Sequence, residues 1–362
     1  ADPARMAIVA QTSARPAPLG DALGIAVNSF VLFVTQDAGQ TWEQRTWPQV
    51  AGRAGDLPPA RIVSDPTVSF AGSRLAVAGM ATDQAGYLPF VAVSEDLGAT
   101  WQHITSFEAT TSADRPWMEA HGDALAVVWS NLNGGVFAPP GWGWSSDGGA
   151  TWTSGLAELP GATCQGVLVR PTVSANGFVF GCNAATDGQF DGGRLIRWNQ
   201  AIGFAPTSVF ERQLRGGDGF APVGEATWIL FGNSEGFGVS RLPIMGPSVP
   251  LDDLLSIEDG WYGRQYMAFA ADANGTLHLL LRELVNDNGG FRYGRIAYAS
   301  WSPQAGVQDE QILLSAVEGA LASPALKPTV VDDFHDIAFV SSRGLAVWGG
   351  DGAIHWATLS PS

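Results

Sequence analysis

Hydrophobic and polar positions repeat along this chain with a long period. A proline opens a short apolar run, a polar turn follows, and a second apolar run comes after it. The pattern reads RPAPLGDALGIAV from Arg15, DPTVSFAGSRLAVAG from Asp65, RPWMEAHGDALAVVW from Arg115 and RPTVSANGFVFGC from Arg170. APVGEATWILFG from Ala221 and KPTVVDDFHDIAFV from Lys327 continue it. The prolines are Pro16, Pro66, Pro116, Pro171, Pro222 and Pro328, with gaps of 50, 50, 55, 51 and 106 residues. The last gap is two periods, and YMAFAADANGTLHLLL from Tyr266 fills it without a proline. Seven units of about 52 residues result.

Proline suits the first residue of a strand, where no ladder donor is lost. Each proline therefore marks the start of an innermost strand. A second strand follows, for example Ala124 to Trp129, and its apolar residues fall on both faces. That pattern predicts burial between neighbouring sheets.

A second motif recurs at the far end of three units. VTQDAGQTW, VSEDLGATW and WSSDGGATW carry Asp37, Asp96 and Asp147, spaced by 59 and 51 residues. Trp42, Trp101 and Trp152 close the three copies. The turn between the third and fourth strands needs a side-chain acceptor for its loose N–H groups, and Asp supplies it. Gly permits the left-handed backbone. Trp packs the outer edge of the sheet against its neighbour. These residues read as structural, with no catalytic role.

The three copies resemble the Asp-box, or bacterial neuraminidase repeat, of sialidases and many other propellers. WGGDGAIHW is a degenerate copy that keeps Asp351 and Trp356. The resemblance implies propeller hairpins and little about function, because catalytic and non-catalytic families share the motif. The expected fold is all-β: a seven-bladed β-propeller of four-stranded antiparallel blades. It forms one domain over 1–362, with blades starting near 16, 66, 116, 171, 222, 267 and 328. The β-capable segment Met6 to Gln11 precedes the first unit. It is expected to close the ring by pairing near Ala353 to Leu359.

Composition narrows the partners. The chain has 362 residues, 46% hydrophobic, with 45 Gly and 14 Trp. That suits many tight hairpins around a well-buried core. The net charge of −16 argues against nucleic acid and anionic membrane surfaces, which need Lys and Arg. No apolar stretch of 18 residues is present, so no transmembrane helix is expected. The chain starts at Ala1 rather than Met, which reads as a removed signal peptide or a cloning remnant. Cys164 and Cys182 lie 18 residues apart. A disulfide between them would imply export; two buried thiols are the other reading.

Candidate chemistry collects at the strand starts. Arg15, Asp65, Arg115, Arg170 and Lys327 stand just before their prolines, with Asp114 one step earlier. Tyr266 holds the equivalent place in the sixth unit, and Asp218 lies just before the fifth. Four cations around one mouth of a −16 protein suit a carboxylate or another anionic group. The alternative is that these charges pair with one another and tie the strand starts together.

The sialidase resemblance implies three arginines around a sugar carboxylate, a Tyr nucleophile activated by Glu, and an Asp acid/base. Arg15 in ARPA, Arg241 in VSRLPIMG, and Tyr266 with Glu283 stand at matching positions. The second arginine is absent from LFGNSEG, and the activating carboxylate is at best Asp218. A phenol without its base is a poor nucleophile at neutral pH. A true sialidase is therefore not expected. Some seven-bladed propellers are polysaccharide lyases that use Tyr or His as base, with Arg neutralising a uronate. His121 lies in the turn after Trp117, and Tyr266 with Arg115 or Arg170 would suit such a step. Asp65 with Asp114 would suit a hydrolase, which needs two carboxyls across the bond.

Trp117 reads either as a sugar-stacking surface or as inter-blade core, and the GWGW run from Gly141 to Trp144 as an exposed rim loop. Metal signals are weak: VDDFHD reads as a solvated turn, and NDNGG lacks the spaced ligands of a Ca²⁺ loop. No cofactor or metal is expected, a structural Ca²⁺ being the one weak candidate. The reading is an exported monomer, extracellular, cell-surface or periplasmic, that recognises or processes a glycan or polysaccharide, anionic by the charges at its mouth. The alternative is a non-catalytic adhesion or assembly propeller that binds a protein partner through rim loops.

Overall fold

The computed structural model describes residues 2, 4–13, 28–51, 61–83, 86–108, 112–133, 136–158, 163–167, 170–186, 189–210, 219–223, 226–233, 236–243, 252–256, 263–272, 274–287, 290–302, 306–315, 336–340, 343–350 and 353–359. Contacts divide the chain into two compact units, Ala1–Gln213 and Leu214–Ser362. Every regular element among the described residues is a β-strand.

The described residues of the first unit form four antiparallel sheets. The first joins β1 (Met6–Ser13), β2 (Asn28–Thr35) and β3 (Glu43–Arg45). The second runs β4 (Arg61–Ala71), β5 (Arg74–Asp83), β6 (Gly86–Ser94) and β7 (His103–Ser106) as a meander. The third repeats that order with β8 (Ser112–His121), β9 (Ala124–Asn133), β10 (Val136–Ser145) and β11 (Thr153–Leu156). In the fourth, β12 (Thr163–Val167) and β13 (Thr172–Ser174) both pair with β14 (Gly177–Thr186). β15 (Gln189–Asn199) and β16 (Gly203–Phe210) follow.

The described residues of the second unit form three sheets. They are β17 (Gly219–Val223) to β20 through β18 (Ala226–Asn233), β19 (Gly236–Pro243) and β20 (Asp252–Ser256). Next come β21 (Gly263–Ala271), β22 (Leu277–Asp287), β23 (Gly290–Ser302) and β24 (Gly306–Ser315). The last sheet is β25 (Asp336–Val340), β26 (Arg343–Gly350) and β27 (Ala353–Leu359).

Met6–Ser13 pairs in full with Asn28–Thr35, from Met6↔Thr35 to Ser13↔Asn28, so it is the strand beside the motif-bearing strand of its own sheet. The expected starts at 16 and 328 lie outside the described residues.

Alternation divides each inner sheet between two cores. On β9, Ala126 and Val128 face the fourth sheet, beside Phe178, Phe180 and Trp198. Leu125, Val127 and Trp129 face the second sheet, beside Ala76, Met80 and Val91. On β5, Leu75 and Val77 turn the other way, toward Leu32 and Val34 of the first sheet. A strand buried on both faces must be apolar at every position, which is what these strands read.

The expectation for the GWGW run is corrected. The run is not a rim loop: Trp142 and Trp144 lie inside β10, 7% and 2% exposed. Both rings pack on Phe178 and Trp198, with centroids 5.0 to 6.0 Å apart. The glycines between them face the opposite core. A Cβ on Gly141 would sit 2.0 Å from the Trp129 indole, which lies across its partner strand. Buried Trp129 donates its indole N–H to Asn131 Oδ1 at 3.1 Å, and Asn131 in turn donates to Pro139 O at 2.9 Å.

Candidate functional site

The turns after β2, β6 and β10 are three copies of one hydrogen-bonded ring. Asp96 Oδ1 accepts from Ser94 Oγ at 2.8 Å and from Thr100 N at 2.8 Å, while Oδ2 accepts from Thr100 Oγ1 at 2.7 Å. Gly98 N closes the ring by donating to Ser94 Oγ at 2.6 Å. Asp37 repeats this with Thr35, Thr41 and Gly39, and Asp147 with Ser145, Thr151 and Gly149. Two successive residues are left-handed in each copy, and the first is not always glycine: Ala38 has φ 58° and Leu97 57°. The acceptor load holds each carboxyl near 2. For Asp37 the Thr35 hydroxyl is the first cause, and for Asp96 the Thr100 hydroxyl. For Asp147, burial pushes upward but the Thr151 and Ser145 bonds outweigh it. Trp101 donates to Thr46 O at 2.9 Å, tying its sheet to the one before, and Trp152 meets Phe107 edge-on at 5.3 Å. Trp42 is partly buried beside its own motif. These side chains are bound up in turn and packing contacts.

The prolines do something else. β4 pairs Ser64 with Met80 and Thr67 with Ala78, so Asp65 and Pro66 oppose Gly79 alone. β8 pairs Asp114 with Ser130 and Trp117 with Val128, so Arg115 and Pro116 oppose Trp129 alone. Each proline thus sits in a β-bulge, where its missing N–H breaks no ladder bond. The residue before it is left-handed in both strands, Asp65 at φ 58° and Arg115 at φ 51°. Positive φ is uncommon for a side-chain-bearing residue and costs on the order of 1 kcal/mol. Arg170 and Pro171 fall in the equivalent break between β12 and β13.

β4, β8 and the break before β13 converge beyond these bulges. Arg170 NH1 donates to Glu119 Oε1 at 3.4 Å, and its guanidinium lies 5.7 Å from the centroid of the Trp117 ring. Ser69 Oγ, from β4, donates to Glu119 Oε2 at 3.4 Å. Trp117 and Glu119 are two apart on β8 and so share a face. Trp117 also packs on the core between the third and fourth sheets. Glu119 is the participant that sequence reasoning missed; the alternation from Trp117 was the signal that could have found it.

Other expected residues fall elsewhere. Asp114 is partly buried and Arg115 exposed, both at the bulge. His121 is exposed at the end of β8, six residues and roughly 20 Å of strand from Arg115. Arg241 and Tyr266 lie in β19 and β21, opposite Trp228 and Leu281, and Glu283 pairs with Arg264. The side chains of Arg241 and Tyr266 lie outside the described residues, as do Arg15, Asp218 and Lys327. Cys182 is disulfide-bonded, and Cys164 of β12 is the only other cysteine of the chain. Among the described residues, no group of three or more His, Cys, Asp or Glu is placed to hold a metal ion. No helix among them is long and apolar enough to cross a membrane.

A buried polar cluster lies in the second unit. His278 Nδ1 is 2.7 Å from the Tyr298 hydroxyl, and its Nε2 is 3.5 Å from Asp272 Oδ2. Asp272 also accepts from Asn274 N and Thr276 N, shaping the turn before β22. Burial pushes the His278 pKa below its ordinary value, against the pull of Asp272.

No known protein family and no curated protein sequence matches the chain. Solved structures do. Trypanosoma rangeli sialidase is 13% identical over 86% of this chain and 56% of its own, with a TM-score of 0.52. The chain therefore spans little more than half that enzyme's length. Polysaccharide lyase Uly1 is 12% identical over 75% of this chain and 68% of its own, at 0.48. A protein of unknown function from Dyadobacter fermentans DSM 18053 is 12% identical over 82% and 93%, at 0.46. The sialidase match defines the class: an all-β chain of antiparallel sheets with a sialidase-like propeller fold.

Proposed function

We propose that this chain is a seven-bladed, exported propeller that recognises or processes an anionic glycan at its innermost strands. The observation that carries the reading is Arg170, 28% exposed, held between the Trp117 ring and the Glu119 carboxylate where three sheets converge. A cation backed by an aromatic ring suits a sugar that carries a carboxylate or sulfate. The neighbouring bulges support it, since strained residues at Asp65 and Arg115 are expected where side chains are aimed at a ligand. The Cys182 disulfide supports export. Asp65 and Asp114 are the candidate carboxyl pair for hydrolysis, and Tyr266 the candidate base for elimination.

The test is an array of acidic and neutral oligosaccharides, with product detection by reducing ends and by ultraviolet absorbance of unsaturated ends. Wild type is compared with Arg170→Ala and Trp117→Ala. Binding or turnover lost in both variants supports the site. A wild type that neither binds nor cleaves any glycan overturns the reading and turns the search to a protein partner.

A further inference from the structure

Glu119 and Arg170 come from neighbouring sheets, 51 residues apart in the chain. Their contact is long at 3.4 Å, and both side chains are about a third exposed. An ion pair of that length and exposure is weak in water. Guanidinium–carboxylate pairs become strong through two short, parallel N–H···O bonds. Among the described residues, Oε1 accepts the Arg170 bond, while Oε2 accepts from Ser69 Oγ and Ala120 N, each at 3.4 Å. Trp117 holds the same guanidinium by its face. That contact does not need the carboxylate, so Arg170 keeps a support when Glu119 withdraws.

We infer that Glu119 is a built-in competitor for Arg170, displaced by the anionic group of a glycan and setting the selectivity of the site. The inference rests on the glycan reading above. An incoming carboxylate forms paired bonds with Arg170, and the released Glu119 keeps its bonds from Ser69 Oγ and Ala120 N. A neutral sugar has no charge with which to displace it. The sign of the effect separates this role from simple orientation. A competitor weakens anion binding by repulsion, so removing its charge strengthens binding. A carboxylate that merely positioned Arg170 would weaken binding when removed.

The experiment measures affinity for oligogalacturonate, hyaluronan, alginate and chondroitin sulfate fragments, and for methyl-esterified oligogalacturonate and cello-oligosaccharides as neutral ligands. Wild type is compared with Glu119→Gln, Glu119→Asp and Arg170→Ala, each checked for an unchanged thermal transition. The expected result is that Glu119→Gln binds an acidic ligand about three- to tenfold tighter. Its affinity for neutral ligands is unchanged, and Arg170→Ala loses the acidic ligand. Glu119→Asp, which shortens the reach and keeps the charge, falls between wild type and Glu119→Gln. Acidic-ligand affinity equal or lower in Glu119→Gln overturns the inference while wild-type binding upholds the glycan site. No binding by wild type or Glu119→Gln overturns both.

Discussion

Arg170 stacks over Trp117 across a sheet boundary, its guanidinium carbon 5.7 Å from the ring centroid. The two residues belong to successive units of the repeat, so the contact depends on how neighbouring sheets are set. A double-mutant cycle of Trp117→Leu and Arg170→Ala, read by urea unfolding, should give a coupling of about 0.5–1 kcal/mol. The cycle of Glu119→Gln and Arg170→Ala should give no more than about 1 kcal/mol, given the exposure of that pair.

The Asp motifs should fail in acid. Asp147 is held at about 2 rather than 3.8 by the Thr151 and Ser145 bonds against the effect of burial. Its carboxylate therefore contributes stability that is complete above the unfolded value and is lost as pH falls from about 4 through 2. Asp147→Ala should cost about 1–2 kcal/mol at neutral pH, from the loss of three hydrogen bonds. Chemical denaturation of wild type and variant at pH 7 and pH 2 measures it; the gap should narrow in acid.

His278 sets a second pH dependence of the same sign and higher window. Burial depresses its pKa in the fold, so the unfolded chain binds the proton more readily. Stability should fall as pH drops below about 6.5, until the folded value is reached, with a slope of at most about 1.4 kcal/mol per pH unit. His278→Gln should remove that slope. Stability profiles between pH 7 and pH 5 give the comparison.

Gly141→Ala should be strongly destabilising although it adds one methyl group. The new Cβ would meet the Trp129 indole at 2.0 Å, with that ring buried and hydrogen-bonded to Asn131. Overpacking of this kind costs about 1–3 kcal/mol. Gly155→Ala, whose Cβ would meet Trp142 at an ordinary 3.5 Å, is the control and should change little. Thermal unfolding of the two variants separates them.

What could be read from the chain alone was what is local. The Asp turns are written in nine residues, because every bond of the ring joins positions two or four apart. The strands with apolar residues on both faces follow from a period of two between neighbouring cores. Only the tertiary structure decided the rest. That Met6–Ser13 lies beside Asn28–Thr35 depends on chain reach and register, not on its β-propensity. The two tryptophans of GWGW looked like a rim because proline and glycine surround them. Inside β10 those glycines are the hollow that the Trp129 and Phe107 rings fill from the other face. Pro66 and Pro116 suggested strand starts and proved to lie in bulges, since the lost donor is harmless in either place. Glu119 meets Arg170 across 51 residues, and a charge pair at that distance leaves no pattern in the sequence.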